Sequence, residues 1–219
     1  LQDAYEQAIS EGAKALVISG QEGMFSAGLD VPELIAQDRE HIEEFWLAFF
    51  QLMNLLAKSS VPIGAAITGH APAGGLVMAL HCDYRIATRG AFKLGLNEVQ
   101  VGLPVPRNIL FALEIAIGQR QAAWYASAGE LMAPEEALAI GLVDRLADTP
   151  AAAVEHCLQR AEQLLALPSI AMNKTRLAAK SALLDVSAEM SSFVRLAVDA
   201  WFEDEAQDKM REMAEKLSK

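Results

Sequence analysis

The chain has 219 residues, enough for one domain with a full hydrophobic core and a helical extension. Apolar residues make up 53% of it, which excludes an intrinsically disordered chain, and no apolar run reaches the ~20 residues of a membrane span. The net charge of −11 argues against nucleic acid as a partner, which would want a basic face, but leaves room for a phosphorylated ligand held by local basic groups.

Leu1 to Ile9 reads as the middle of an amphipathic helix, with no initiator Met, signal or transit peptide, so the natural chain is expected to carry a further N-terminal piece. Ala15 to Ser19 is a short, partly β-branched apolar run stopped by Gly20, which predicts a buried strand. Residues 41–58 predict a long helix, because Ile42, Phe45, Trp46, Phe49, Leu52, Met53 and Leu56 recur at helical spacing. Val61 to Thr68 predicts a second strand, Leu76 to His81 a helix, and Tyr84 to Ala87 a third strand. Strands alternating with helices predict an α/β fold with largely parallel pairing.

From Pro106 onward the pattern is mostly helical. Pro134 opens a helix that Gly141 ends, Leu142-Val143 is a short strand at best, and three or more helices fill residues 150–217. The apolar positions Phe193, Leu196, Val198, Trp201 and Phe202 cover more than one helix face, as needed for packing on the core and on another subunit. The chain ends Lys216-Leu217-Ser218-Lys219, which is not a peroxisomal Ser-Lys-Leu signal. Cys82 and Cys157 lie in apolar surroundings without metal-type spacing and read as buried free thiols in a reducing compartment.

Three segments carry the chemistry. Phe25-Ser26-Ala27-Gly28-Leu29-Asp30 and Ala71-Pro72-Ala73-Gly74-Gly75-Leu76 each follow a strand-like run and lead into a helix. Gly28 permits close approach of a ligand and brings the N–H of Leu29 to a helix start. Asp30, with Glu33 three residues on and Pro32 between, fits a helix cap. Gly74-Gly75 opens the second helix, whose free N–H groups favour developing negative charge. Two such turns at strand ends of one domain resemble an oxyanion hole for a thioester enolate. Glu98, in Gly95-Leu96-Asn97-Glu98, sits in an apolar stretch. If buried, it should hold its proton to higher pH and suit proton transfer near neutrality; local pattern alone leaves a solvated loop glutamate equally open. His70, Asp83 and Asp144 read as structural, and no Ser-His-Asp order or metal-ligand grouping is present.

In combination and order, these turns with Cys82-Asp83-Tyr84-Arg85-Ile86 and Gly141-Leu142-Val143-Asp144 resemble the crotonase (enoyl-CoA hydratase/isomerase) superfamily, from about Ala15 to Asp144. Within it the wording is most similar to the mitochondrial-type Δ3,Δ2-enoyl-CoA isomerases. The resemblance implies a crotonase (ClpP/crotonase-like) α/β fold of repeated ββα units, with a core over residues 1–145 and a helical, trimerising region over 146–219. It implies a homotrimer or dimer of trimers, C-terminal helices that help close the acyl site, and an acyl-CoA substrate with no separate metal or redox cofactor. Residue by residue, it assigns the Leu29 and Gly74 N–H groups to the thioester oxygen, Glu98 to catalysis, Ser26, Ala27, Gly28, Leu29 and Asp30 to the bound acyl-CoA, and Asn97 to a substrate contact.

Hydratases of the superfamily carry a second glutamate three residues after the oxyanion-hole glycine, where this chain has Val77. Hydration needs an activated water, whereas a double-bond shift needs one base and a dry pocket. Val77 therefore favours isomerisation of a 3-enoyl-CoA in fatty-acid β-oxidation. Weak hydratase chemistry and a catalytically silent acyl-CoA-binding relative are the alternatives, opposed by Val77 and Glu98 respectively. The compact, alanine-rich composition is read as bacterial cytoplasmic, or mitochondrial matrix for a eukaryotic chain.

Overall fold

A computed structural model describes residues 1–217 of the chain. The Ser218-Lys219 end of the C-terminal motif lies outside them. After α1 (Gln2–Ser10), the first half repeats one unit three times. β1 (Leu16–Ser19) and β2 (Gly23–Met24) are followed by α2 (Val31–Leu34) and α3 (Arg39–Ala57). β3 (Ile63–Ile67) and β4 (Gly69–Pro72) are followed by α4 (Gly74–His81). β5 (Tyr84–Thr88) and β6 (Leu94–Gly95) are followed by a 3-10 turn (Glu98–Val101) and α5 (Arg107–Ile117). The second half runs through α6 (Gln119–Ala128), α7 (Pro134–Ala139), β7 (Arg145–Ala147), α8 (Pro150–Leu165), α9 (Ser169–Ala179), α10 (Ser181–Val186), α11 (Met190–Trp201) and α12 (Asp204–Leu217).

In each unit the first strand enters one sheet and the second enters another, as expected of repeated ββα units. The larger sheet has the order β1-β3-β5-β7 and the smaller β2-β4-β6, and among the described residues these strands pair in parallel with one another. Parallel strands are covered on both faces, which explains their continuous apolar runs. Along β3, Ile63, Ala65 and Ile67 join the main core, while Ala66 joins Tyr84, Ile86, Ala153 and Cys157 beneath α8. That alternation is the two-residue period of a strand.

α3 begins at Arg39, where the Asp38 carboxylate accepts the His41 N–H at 3.0 Å, and buries Ile42, Trp46, Phe50, Met53 and Leu56. Each such side chain contributes about 1.5–3 kcal/mol when removed from water. α11 packs on α3 through Trp201 edge-to-face with Trp46 (6.3 Å between centroids) and Phe193 against Phe50 (6.3 Å). The main core thus runs from Phe25 to Met210 and joins both halves of the chain.

Two structural acids work as their sequence context suggests. Asp83 accepts the Ile63 N–H (2.7 Å) and pairs with Arg176 (3.2 Å) and Lys180 (2.7 Å) in a nearly buried cluster that fastens α9 to the start of β3. Asp144 accepts the Arg85 N–H at 2.7 Å. Leu142-Val143 is not a strand. Both N–H groups bond the carbonyl of Ala137 at the end of α7, and the strand forms three residues later, where Arg145 to Ala147 meet β5. Leu142 and Val143 are buried by the helix turn rather than by a sheet.

Candidate active site

The smaller sheet builds the site. Its register sets Met24 beside His70 and Pro72 beside Gly95, so three parallel strands end together. Ligands of parallel sheets gather at such carboxyl ends. Each strand runs directly into one of the three motif segments.

The first turn is tied to β4: the N–H groups of Phe25 (2.9 Å) and Ser26 (3.3 Å) both donate to the carbonyl of His70. Gly28 then takes φ 88°, a conformation that side chains disfavour, and its N–H donates to Ser26 Oγ at 3.2 Å. Asp30 caps α2, accepting the Glu33 N–H at 3.2 Å, with Pro32 in the first turn. The second turn lies against the first. A Cβ added at Gly75 would stand 2.7 Å from the Ser26 carbonyl oxygen, and one added at Gly28 would stand 3.4 Å from the Gly74 nitrogen. The contact at Gly75 leaves no room for a side chain, and at Gly28 it is the positive φ that disfavours one. Among the described residues no protein acceptor receives the N–H of Leu29 or of Gly74, so two backbone donors are left free in adjacent turns.

Those turns open on a cavity of about 80 Å³. Leu29, Ala73, Gly74, Val77, Asn97 and Glu98 line its reactive end. Trp46 and Phe49 of α3, Leu103, Pro104, Pro106 and Ile109, and Ala197, Ala200 and Met213 of the last two helices wall the rest. Among the described residues, Glu98 is the only ionisable side chain in that lining. Burial raises its carboxyl from the ordinary carboxylate value to about 7, and its Oε2 has no hydrogen-bond partner. Asn97 Oδ1, next in sequence, is likewise buried and unpartnered. Two free donors, an acid poised near neutral pH and an otherwise apolar wall can polarise a carbonyl and move a proton beside it.

Of the residues singled out from sequence, the structure gathers Ala27, Leu29, Gly74, Asn97, Glu98 and Val77 on this cavity. Ser26, Gly28 and Asp30 lie just behind it and shape the first turn. His70 accepts the Lys93 N–H (3.1 Å) and packs edge-on against Phe92. His81 is fully buried and its imidazole is pushed down to about 4 by burial, which keeps it neutral. The sequence did not mark Trp46, Phe49, Ala197, Ala200 or Met213 as cavity residues, since their helical spacing is the same as that of core residues. A larger groove of about 1020 Å³ runs between β5, α8 and α9. It contains none of the motif turns, and its Asp83, Arg176 and Lys180 are paired with one another, so the site is assigned to the smaller cavity.

Comparison with known proteins gives the family and the fold. A family model described as enoyl-CoA hydratase/isomerase matches residues 1–219, and the chain belongs to that family. It is 37% identical over 163 residues to the mitochondrial enoyl-CoA delta isomerase 1 of Homo sapiens, covering 74% of this chain and 53% of that protein. It is 34% identical over 156 residues to a putative enoyl-CoA hydratase of Thermus thermophilus, covering 70% and 60%. The chain spans about half the length of the first of these relatives. The crystal structure of human mitochondrial Δ3-Δ2-enoyl-CoA isomerase superimposes with a TM-score of 0.93 at 29% identity, over 99% of this chain and 85% of that one. The crotonase-type fold is therefore established, and no helix among the described residues is long and apolar enough to cross a membrane.

Proposed function

We propose that this member of the enoyl-CoA hydratase/isomerase family is a Δ3,Δ2-enoyl-CoA isomerase that moves the double bond of a 3-enoyl-CoA to the trans-2 position in fatty-acid β-oxidation. The observation that carries the reading is the composition of the cavity wall: one carboxyl, Glu98, with Val77 where a second acid would stand. The similarity to the human isomerase in sequence and in structure supports it.

The proposed chemistry uses the chain's own groups. The thioester oxygen accepts the N–H groups of Leu29 and Gly74. Glu98, ionised, takes a proton from C2; the C2–H electron pair spreads over the carbonyl and the C3=C4 bond as a dienolate. The same carboxyl returns the proton at C4, the electrons settle as C2=C3, and Glu98 is ionised again. No atom is gained or lost. Each oxyanion donor of this kind is worth roughly 10²–10³ in rate, and a positioned general base about 10²–10⁴. Asn97 and the Ser26 to Asp30 turn are proposed to contact the acyl-CoA, with no cofactor besides the coenzyme A of the substrate.

Assembly as a homotrimer or dimer of trimers belongs to the same proposal. Leu158, Leu165, Leu167 and Ile170, on and between α8 and α9, are exposed large apolar side chains of the kind a subunit contact would cover. Two buried free thiols fit a reducing compartment, bacterial cytoplasm or mitochondrial matrix. The function is tested by supplying purified protein with 3-enoyl-CoA and with 2-enoyl-CoA side by side. Conversion of the first without hydration of the second is expected; rapid hydration would replace the isomerase with a hydratase.

A further inference from the structure

Among the described residues, Ala73 is the one residue other than glycine with a positive φ, 44° with ψ −120°. A Cβ is strained there, and glycine would adopt the same turn freely. Such outliers persist only where the surroundings hold them, and they concentrate at functional sites. Ala73 is held by two backbone hydrogen bonds and faces the opposite turn. Its N–H donates to the carbonyl of Gly95 at 2.8 Å, on the strand that delivers Glu98. Its carbonyl accepts the Val77 N–H at 2.9 Å, inside α4. Its methyl stands 3.5 Å from where a Cβ on Gly28 would lie, at the opposite turn.

The carbonyl of Ala73 and the N–H of Gly74 belong to one planar trans peptide and point in opposite directions. With the carbonyl turned along the helix to Val77, the Gly74 N–H is aimed away from the helix, at the cavity. The φ and ψ of Ala73 therefore set the direction of a proposed oxyanion donor. Its N–H fixes the distance from that donor to the segment bearing the base. We infer that Ala73 is a positioning residue: its strained backbone, pinned by the Gly95 and Val77 hydrogen bonds and carrying a methyl that faces the Gly28 turn, keeps the Ala73–Gly74 peptide from rotating and so holds the Gly74 N–H on the thioester oxygen. This inference rests on the isomerase reading above and names a residue through which that site is kept rigid.

The experiment compares wild type, A73G, A73S and E98Q on a short 3-enoyl-CoA, with melting temperatures measured alongside. A73G removes both the strain and the methyl. Its melting temperature should be equal or higher, its KM should stay within about twofold, and its kcat should fall about ten- to hundredfold as the donor loses its aim. A73S keeps the Cβ and should recover most of that kcat. Opposite movement of stability and kcat is what a merely structural role cannot produce. An unchanged kcat in A73G, a joint fall of kcat and melting temperature, or failure of A73G to fold would each overturn the inference. If wild type does not isomerise 3-enoyl-CoA, or E98Q isomerises as well as wild type, the isomerase reading itself falls, and the inference with it.

Discussion

Val77 on α4 and Glu98 on the later 3-10 turn line one cavity, and among the described residues Glu98 is its sole ionisable side chain. Val77 is 1% exposed, so any polar atom placed there would face the cavity without bulk water. The pair defines the chemistry more narrowly than the oxyanion turns do. V77E should create a second acid beside the first, lower 3-enoyl-CoA isomerisation, and let 2-enoyl-CoA hydration appear. It should also destabilise the fold by about 1–3 kcal/mol, the usual consequence of burying a polar group without partners. Denaturant unfolding and parallel assays on the two substrates measure both effects.

Glu98 gives the pH dependence. The base must be ionised and burial raises its carboxyl to about 7, so kcat/KM should climb about tenfold per pH unit below 7 and level off above it. The stability consequence has the opposite direction. A carboxyl raised in the folded state contributes fully below its ordinary value of 4.5, and its contribution is lost as pH rises through about 7. E98Q stays neutral throughout. It should match wild type in stability at pH 4 and exceed it at pH 8 by up to ~3 kcal/mol, while losing about 10²–10⁴ in turnover. Equal stability of the two proteins at pH 8 would show that Glu98 is not held in a poorly solvated place.

Gly75 tests the contact between the two turns. In G75A the new methyl would meet the Ser26 carbonyl oxygen at 2.7 Å, so the turns must part. A loss of about 1–3 kcal/mol is expected from overpacking, with a fall in kcat because Leu29 and Gly74 no longer converge. Thermal melts with steady-state kinetics check it.

The Asp83 cluster tests the attachment of the C-terminal helices. D83A would leave Arg176 and Lys180 nearly buried without their carboxylate. The expected destabilisation is about 3–5 kcal/mol, and hydrogen exchange should rise first in α9.

How much of this was legible in sequence depended on distance along the chain. The three turns could be read because each is local: glycine or a cap residue, then a helix start, within a few residues. β3 could be read because its run is apolar on both faces, and β5 because Tyr84, Ile86 and Ala87 are β-favouring or apolar around the single charge of Arg85. β2 and β6 were not marked as strands, since two-residue pieces such as Gly23–Met24 and Leu94–Gly95 carry no period and exist only through their neighbours in the sheet. The Leu142-Val143 reading failed for a related reason, because burial by the end of α7 looks like burial in a strand. The far wall of the cavity was hidden altogether. Met213 and Ala200 reach Trp46 and Phe49 across more than 150 positions of sequence, and on each helix they have the spacing of ordinary core residues.

The single-carboxyl shuttle is tested most directly by following the proton. A 3-enoyl-CoA fully deuterated at C2 should give a 2-enoyl-CoA that carries a measurable share of that deuterium at C4, read by NMR or mass spectrometry. That result is predicted because one buried carboxyl both removes and returns it. Complete replacement by solvent hydrogen at C4, or a 3-hydroxyacyl product, would contradict the account.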